Sequence, residues 1–196
     1  MKPSTSRFAA AASLAISSAT LAQSSVIIDV ADPVLLPGQS TTVTLWAAFP
    51  SSMLAMAGIV TDLESSEGDM GWSELRLIPP MNGPGSSTGV LGGTGIAGII
   101  AGQLNFPCAG CGPDGSNPIS FWRATFTAPA EVATPFDVSL STSTSRFDVY
   151  FSRDSRESRS FLEGLIEGHA TIHIIPAPAG AVVLGLGVLA TGRRRR

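Results

Sequence analysis

The sequence predicts an all-β fold, an antiparallel β-sandwich of seven to nine strands, flanked by an N-terminal signal peptide and a short C-terminal hydrophobic helix. Three observations predict it. Short runs rich in Val, Ile, Thr, Phe and Trp recur between clusters of Gly, Pro, Ser and Asn, the punctuation of strands and turns. Helical periodicity is nearly absent between residues 23 and 174. That stretch is long enough for one hydrophobic core, and many short strands around one core pack as two sheets.

In residues 1–22, Lys2 and Arg7 make a positive start, and a small-residue apolar stretch follows. Thr20-Leu21-Ala22 before Gln23 offers the small side chains that a signal peptidase reads. The body, 23–174, opens with residues 25–30, which alternate as a strand does. PVLLPGQS (33–40) supplies a turn, and TTVTLWAAF (41–49) is dominated by β-branched residues. A second long apolar strand is expected at 54–63. WSELRLI (72–78) places Trp72, Leu75 and Leu77 in the core once a bulge between them is allowed. PPMNGPGSSTGVLGGTGIAGII (79–100) reads as a long Gly/Pro/Ser loop whose last residues, 95–100, add one strand.

ISFWRATFT (119–127) alternates, with Phe121, Arg123 and Thr125 on one face and Trp122, Ala124 and Phe126 on the other. Residues 136–140, 147–151 and 170–174 complete the set. A single short helix is expected at 157–166, where Phe161, Leu162 and Leu165 share a side and Gly164 limits the length.

The whole chain carries a formal charge of −3, yet all fifteen acidic residues lie in the body with only six of the twelve basic ones, leaving the body about nine net negative charges. Such a surface excludes nucleic acid, whose phosphates need a basic footprint. It suits solubility outside the cell or affinity for divalent cations.

Cys108 and Cys111 are the two cysteines of the chain, three apart in FPCAGCGPDG. A thioredoxin-like pair needs a helix start, and Gly112-Pro113 breaks one; zinc or iron-sulfur binding needs more ligands than two. A local disulfide in an oxidising compartment is the expectation, with redox or metal chemistry as the alternative. His169 and His173 fall on one polar strand face about 13 Å apart, too far for one metal ion. DLESSEGD (62–69) offers the oxygen donors that Ca²⁺ takes, without calcium-loop spacing, and otherwise reads as a solvated loop. Asp148, Asp154 and Glu157 with Arg153, Arg156 and Arg159 read as a charged surface network. Neither a Gly-x-Ser-x-Gly elbow nor any convergent acid, base and nucleophile is present.

The chain closes with Pro176-Ala177-Pro178, an uncharged apolar run, and the basic stop Arg193, Arg194, Arg195 and Arg196. Residues 179–192 would rise about 21 Å as a helix. A bilayer core of about 30 Å asks for about 20 residues, so a transmembrane helix here is marginal. The arginines would stay cytoplasmic and the body outside.

These three parts, residues 175–196, resemble the PEP-CTERM protein-sorting signal of Gram-negative and related bacteria. Pro176 and Pro178 match its two prolines, Ala177 stands where glutamate is usual, and Arg193 to Arg196 match its basic end. The resemblance implies delivery to an exosortase, a membrane protease that processes the tail. In the body, Leu36-Pro37-Gly38-Gln39-Ser40 running into Thr41-Thr42-Val43-Thr44-Leu45 resembles the first hairpin of cohesin-like and other immunoglobulin-like bacterial surface modules. Residues 125–130 and 136–140 are similar to their later strands. That resemblance implies an adhesion or scaffolding module.

The functional expectation is therefore an exported, non-enzymatic surface or extracellular-matrix protein, found at the cell envelope, cell surface or outside the cell. A carbohydrate- or calcium-binding module is the alternative, requiring Trp72 or Trp122 exposed beside a groove or clustered acidic loops; a secreted hydrolase comes last. No cofactor is called for. The expected partners are a signal peptidase, an exosortase-type protease, the bacterial inner membrane in passing and extracellular polysaccharide.

Overall fold

The computed structural model describes residues 23–104, 112–152 and 157–177. Eleven strands run in chain order: β1 (Ser25–Val30), β2 (Val34–Leu35), β3 (Ser40–Ala48), β4 (Ala55–Ser65), β5 (Trp72–Leu77), β6 (Ser87–Gly92), β7 (Gly95–Gly102), β8 (Ile119–Thr127), β9 (Phe136–Tyr150), β10 (Ser158–Ser160) and β11 (His169–Ile174). They form the expected sandwich. One sheet has the order β1-β3-β8-β5; the other has β2-β11-β9-β4-β7-β6, with β10 added to β9. All strand pairs are antiparallel except β2 with β11.

Period-two alternation sorts the side chains. On β3, Val43, Leu45 and Ala47 turn inward while Thr42, Thr44 and Trp46 turn out. Ile59 and Leu63 of β4, Ile96 and Ile99 of β7, Val138 and Leu140 of β9, and Ile172 and Ile174 of β11 face them from the larger sheet in one apolar cluster. Trp122 is fully buried, and its indole N–H donates to the Thr88 carbonyl of edge strand β6 at 2.9 Å, so one side chain of the smaller sheet tethers the edge of the larger.

Bulges adjust this pattern at two places that matter for function. Between Leu45 and Trp46 the β3–β8 register shifts, Leu45 pairing with Trp122 and Trp46 with Ser120. Phe121 is the extra residue, so Phe121 and Trp122 are both buried; strict alternation had put Phe121 on the face of Arg123. On β5 the register breaks between Ser73 and Arg76, as the spacing of Trp72, Leu75 and Leu77 requires, and Glu74 adopts φ 52°. Left-handed backbone costs a residue with a β-carbon about 1–2 kcal/mol. Glu74→Gly should therefore raise the urea midpoint of unfolding, a gain of up to about 1 kcal/mol after the entropy cost of glycine; a lower midpoint would contradict the strain.

Several sequence expectations are corrected. Residues 136–140 and 147–150 belong to one 15-residue strand, β9, because its polar middle is paired along β4 on one side, while on the other β11 ends at Ser141 and the Gly168 carbonyl and Glu167 carboxylate accept the N–H groups of Thr142 and Thr144. The expected long loop at 79–100 contains strand β6 and a tight β6–β7 turn. Gly95 has φ 129° there, and a β-carbon on it would lie 2.2 Å from the Leu63 carbonyl oxygen, so only glycine fits. The expected helix at 157–166 is strand β10 followed by a turn in which Gly164 has φ 73°, a left-handed conformation that stops a helix from winding on.

The expectation of a transmembrane helix is also corrected. No described element is helical, and no helix among the described residues is long and apolar enough to cross a membrane; residues 179–192 lie outside the described residues. The Cys108–Cys111 disulfide is likewise not retained: none is present among the described residues, and both cysteines lie outside them.

Candidate functional site

Two outer surfaces hold the candidate chemistry. The first is a groove of about 240 Å³ across β4, β7 and β9 of the larger sheet. Its walls carry Val60, Ile100 and Leu104, the last two exposed, and its floor carries Gly58 and Gly102, which have no side chains to fill it. A β-carbon on either glycine would sit 3.3 Å from a carbonyl oxygen of the neighbouring strand. At one end, Asp148 is buried, and the exposed Arg146 donates from Nε to its Oδ2. The two stand at i and i+2 of β9 and so share the outward face. Sequence reading grouped Asp148 with Asp154 and Arg153, residues that lie outside the described ones; in the structure its partner is Arg146.

The second surface is the outer face of the smaller sheet. Arg76 of β5 and Arg123 of β8 are direct register partners, and Arg123 is paired on its other side with Thr44 of β3 and, beyond that, Asp29 of β1. Both arginines are exposed and line a depression of about 220 Å³ with Thr42, Glu74 and Thr125. The Thr125 hydroxyl donates to Glu74 Oε2 at 3.1 Å. Trp46 lies half-buried on this face, two residues from Thr44. Sequence reading missed the pairing of Arg76 with Arg123. Each position was legible as outward on its strand, but the partnership of strands far apart in sequence was not.

The end of the sandwich beside the groove is tied by side-chain amides. Gln103 is buried; its Nε2 donates to the carbonyls of Met56 at 2.7 Å and Asp114 at 3.0 Å, and its Oε1 accepts from the Asp114 N–H at 2.8 Å. Asn117 grips Phe49 the same way, donating to its carbonyl and accepting from its N–H. Each amide substitutes for a missing strand partner on segment 112–118, satisfying backbone groups that would otherwise be orphaned.

The other sequence-predicted residues are placed as follows. His169 and His173 are exposed on β11, and His173 Nδ1 lies 2.7 Å from Asp137 Oδ1. Asp62 Oδ1 accepts the Gly98 N–H at 2.7 Å, and Glu64 Oε2 accepts the Ser141 hydroxyl at 3.4 Å. Among the described residues no three His, Cys, Asp or Glu side chains come together as a metal would need. Trp72 and Trp122 are both in the core, so neither is the exposed sugar platform the alternative reading required. Of the sorting motif, Pro176 and Ala177 follow directly on Ile175, whose N–H donates to the Leu35 carbonyl at 3.0 Å. Pro178, Arg193, Arg194, Arg195 and Arg196 lie outside the described residues.

The architecture and its two outer surfaces define a two-sheet antiparallel β-sandwich. No family model and no curated protein matches the chain. Among solved structures it is similar to a cohesin module from a Clostridium perfringens family 33 glycoside hydrolase, with 9% identity and TM-score 0.46 over 79% of this chain and 98% of that one. It is similar too to the sixth cohesin of Acetivibrio cellulolyticus scaffoldin B, with 12% identity and TM-score 0.49 over 79% and 98%. A third is the seventh ScaB type I cohesin of Pseudobacteroides cellulosolvens, with 14% identity and TM-score 0.47 over 79% and 92%. The likeness is one of general shape and bears on neither ligand nor partner of this chain.

Proposed function

We propose that the chain is an exported, non-enzymatic binding module of the cell surface or extracellular matrix, engaging a protein partner in the groove of its larger sheet. The observation that carries this reading is where the bulk and the space lie. Trp122, Phe49, Phe121 and Phe126 are fully buried in the interior, and the groove lies outside, on a sheet face. A protein so built acts by what its faces touch. At about 240 Å³ the groove suits a few side chains rather than a drug-sized molecule.

Its chemistry favours one kind of occupant. The glycine floor admits a close backbone, Ile100 and Leu104 accept an apolar side chain, and the exposed Arg146 holds Asp148 through Nε, its guanidinium carrying further N–H donors beyond that bond. An extended segment with a carboxylate beside an apolar residue is complementary to that arrangement. A photo-crosslinking residue at Leu104 should give a discrete protein adduct on cells of the native host, lost in Ile100→Asp. The same probe at exposed Glu163 serves as control, and equal labelling from both positions would defeat the reading.

Delivery follows from the two ends of the sequence: a leader removed by signal peptidase before Gln23, and a tail handed to an exosortase-type protease at the bacterial inner membrane. Mass spectrometry of the mature protein should find Gln23 at the start and the arginine run removed. Retention of Arg196 in every cell-associated species would count against processing.

A further inference from the structure

We infer that the outer face of the smaller sheet binds a carboxylate-bearing polysaccharide, its acid groups held between Arg76 and Arg123 and its sugar rings laid against Trp46. This surface lies on the opposite side of the sandwich from the groove and does not depend on the groove reading.

The arginine pair is the starting observation. Residues directly opposite in an antiparallel pair have Cα atoms about 4.5–5.5 Å apart, and like charges placed so destabilise the sheet. Arg76 and Arg123 occupy such a pair, and among the described residues neither guanidinium makes an ion pair or hydrogen bond. Arg146 and Arg159 do have partners, Asp148 and the Phe151 ring. The body has fifteen carboxylates for six arginines, so the shortage of partners is not one of composition. Glu74, the carboxylate in the same depression, accepts the Thr125 hydroxyl instead. Two adjacent guanidinium groups with open donors are a fork for a carboxylate, which neutralises their repulsion on binding.

The surroundings select the ligand that bears the carboxylate. Thr42, Thr44 and Thr125 add hydroxyls to the face, and Asp29, next to Thr44 in the same cross-strand row, adds an acceptor for sugar hydroxyls. Trp46 adds a flat apolar surface two residues, about 6.6 Å, along β3 from that row. The depression is lined mainly by polar and charged side chains, Thr42, Glu74, Arg76, Arg123 and Thr125, rather than by the apolar anchors that a protein interface is built on. An anionic sugar chain matches all three features at once: charge, hydroxyls and ring faces.

Titration calorimetry of the full chain with hexagalacturonate tests the assignment, with maltohexaose and inorganic sulfate as controls. Binding of the hexauronate, weakened by salt and absent for maltohexaose, is the expected result. Arg76→Gln and Arg123→Gln should each weaken it by about tenfold or more. Trp46→Ala should also weaken it, whereas Glu74→Gln, which removes the competing carboxylate, should strengthen it. The arginine variants should melt at or above the temperature of the parent, because a repulsion has been removed, so lost binding would not be lost folding. Ile100→Asp in the groove should leave hexauronate binding unchanged, which separates failure here from failure of the groove. The inference is overturned by absent hexauronate binding, by equal binding of maltohexaose, by sulfate binding alone, or by undiminished affinity in the double Arg76→Gln/Arg123→Gln variant.

Discussion

Trp122→Ala should destabilise the fold by about 3–5 kcal/mol, the range for deleting a buried large aromatic side chain. Trp122 has no exposed surface, sits beside the Phe121 bulge, and spans the core to the Thr88 carbonyl of edge strand β6. Two effects combine: the cavity left between the sheets, and a carbonyl deprived of its donor. Trp122→Phe separates them, keeping most of the volume and losing the hydrogen bond, and should cost about 1–3 kcal/mol. Trp72 supplies the control. It packs edge-on against Phe126 with ring centroids 5.2 Å apart, and its buried indole N–H has no hydrogen-bond partner among the described residues. Trp72→Phe should thus be nearly neutral, since the ring contact is kept and an unsatisfied donor removed. Urea unfolding of the three variants checks the ranking; equal losses for Trp72→Phe and Trp122→Phe would show that the Thr88 contact contributes nothing.

Glu167→Ala should be the second costly change, at about 2–4 kcal/mol. Just before β11, Glu167 Oε1 accepts the Thr144 N–H at 2.7 Å, and Oε2 accepts the hydroxyls of Thr142 at 2.6 Å and Thr144 at 2.9 Å. Thr142 in turn accepts the Gly168 N–H at 2.8 Å, and Thr144 contacts the buried Thr61 hydroxyl of β4 at 3.1 Å. Removing the carboxylate leaves three donors without an acceptor in a part-buried site, and each orphaned group costs about 1–3 kcal/mol before relaxation and water recover some of it. Glu167→Gln keeps an acceptor oxygen and should lose about half as much. The same substitution should speed amide exchange at 142–144 more than in β3, because the polar middle of β9 is held to the sheet by this carboxylate. Uniform exchange along β9 and β3 would remove that role.

The polar middle of β9 also shows what could be read in advance. Its flanks were legible as strands from Phe136, Val138 and Leu140 and from Phe147 and Val149, whose alternation needs no knowledge of neighbours. The linking residues, Ser141 to Arg146, carry no apolar signal; they are a strand because β4 pairs with them on one side and the Gly168 carbonyl and Glu167 carboxylate satisfy Thr142 and Thr144 on the other. Strand β6 was missed for the same reason: Gly89 and Gly92 weaken its propensity, and Trp122 and strand β7 supply the order that its own residues do not. The expected bulge in β5 was legible because the spacing of Trp72, Leu75 and Leu77 contradicts strict alternation. The bulge at Phe121 leaves no such contradiction, since Phe121 and Trp122 are both apolar and either could face inward.

For the candidate surfaces the division is the same. Sequence alone determined the all-β class, the acidic body and the alternation of faces along strands free of bulges, because alternation and composition are local properties of the chain. Only the tertiary structure decided that Arg76 meets Arg123, that Trp46 rather than Trp72 or Trp122 is the outward tryptophan, and that Arg146 covers Asp148 beside a glycine-floored groove. Those facts depend on which strands become neighbours and in what register. Strand pairing across long stretches of sequence is set by how the two sheets bury their faces together, and no local pattern carries that information.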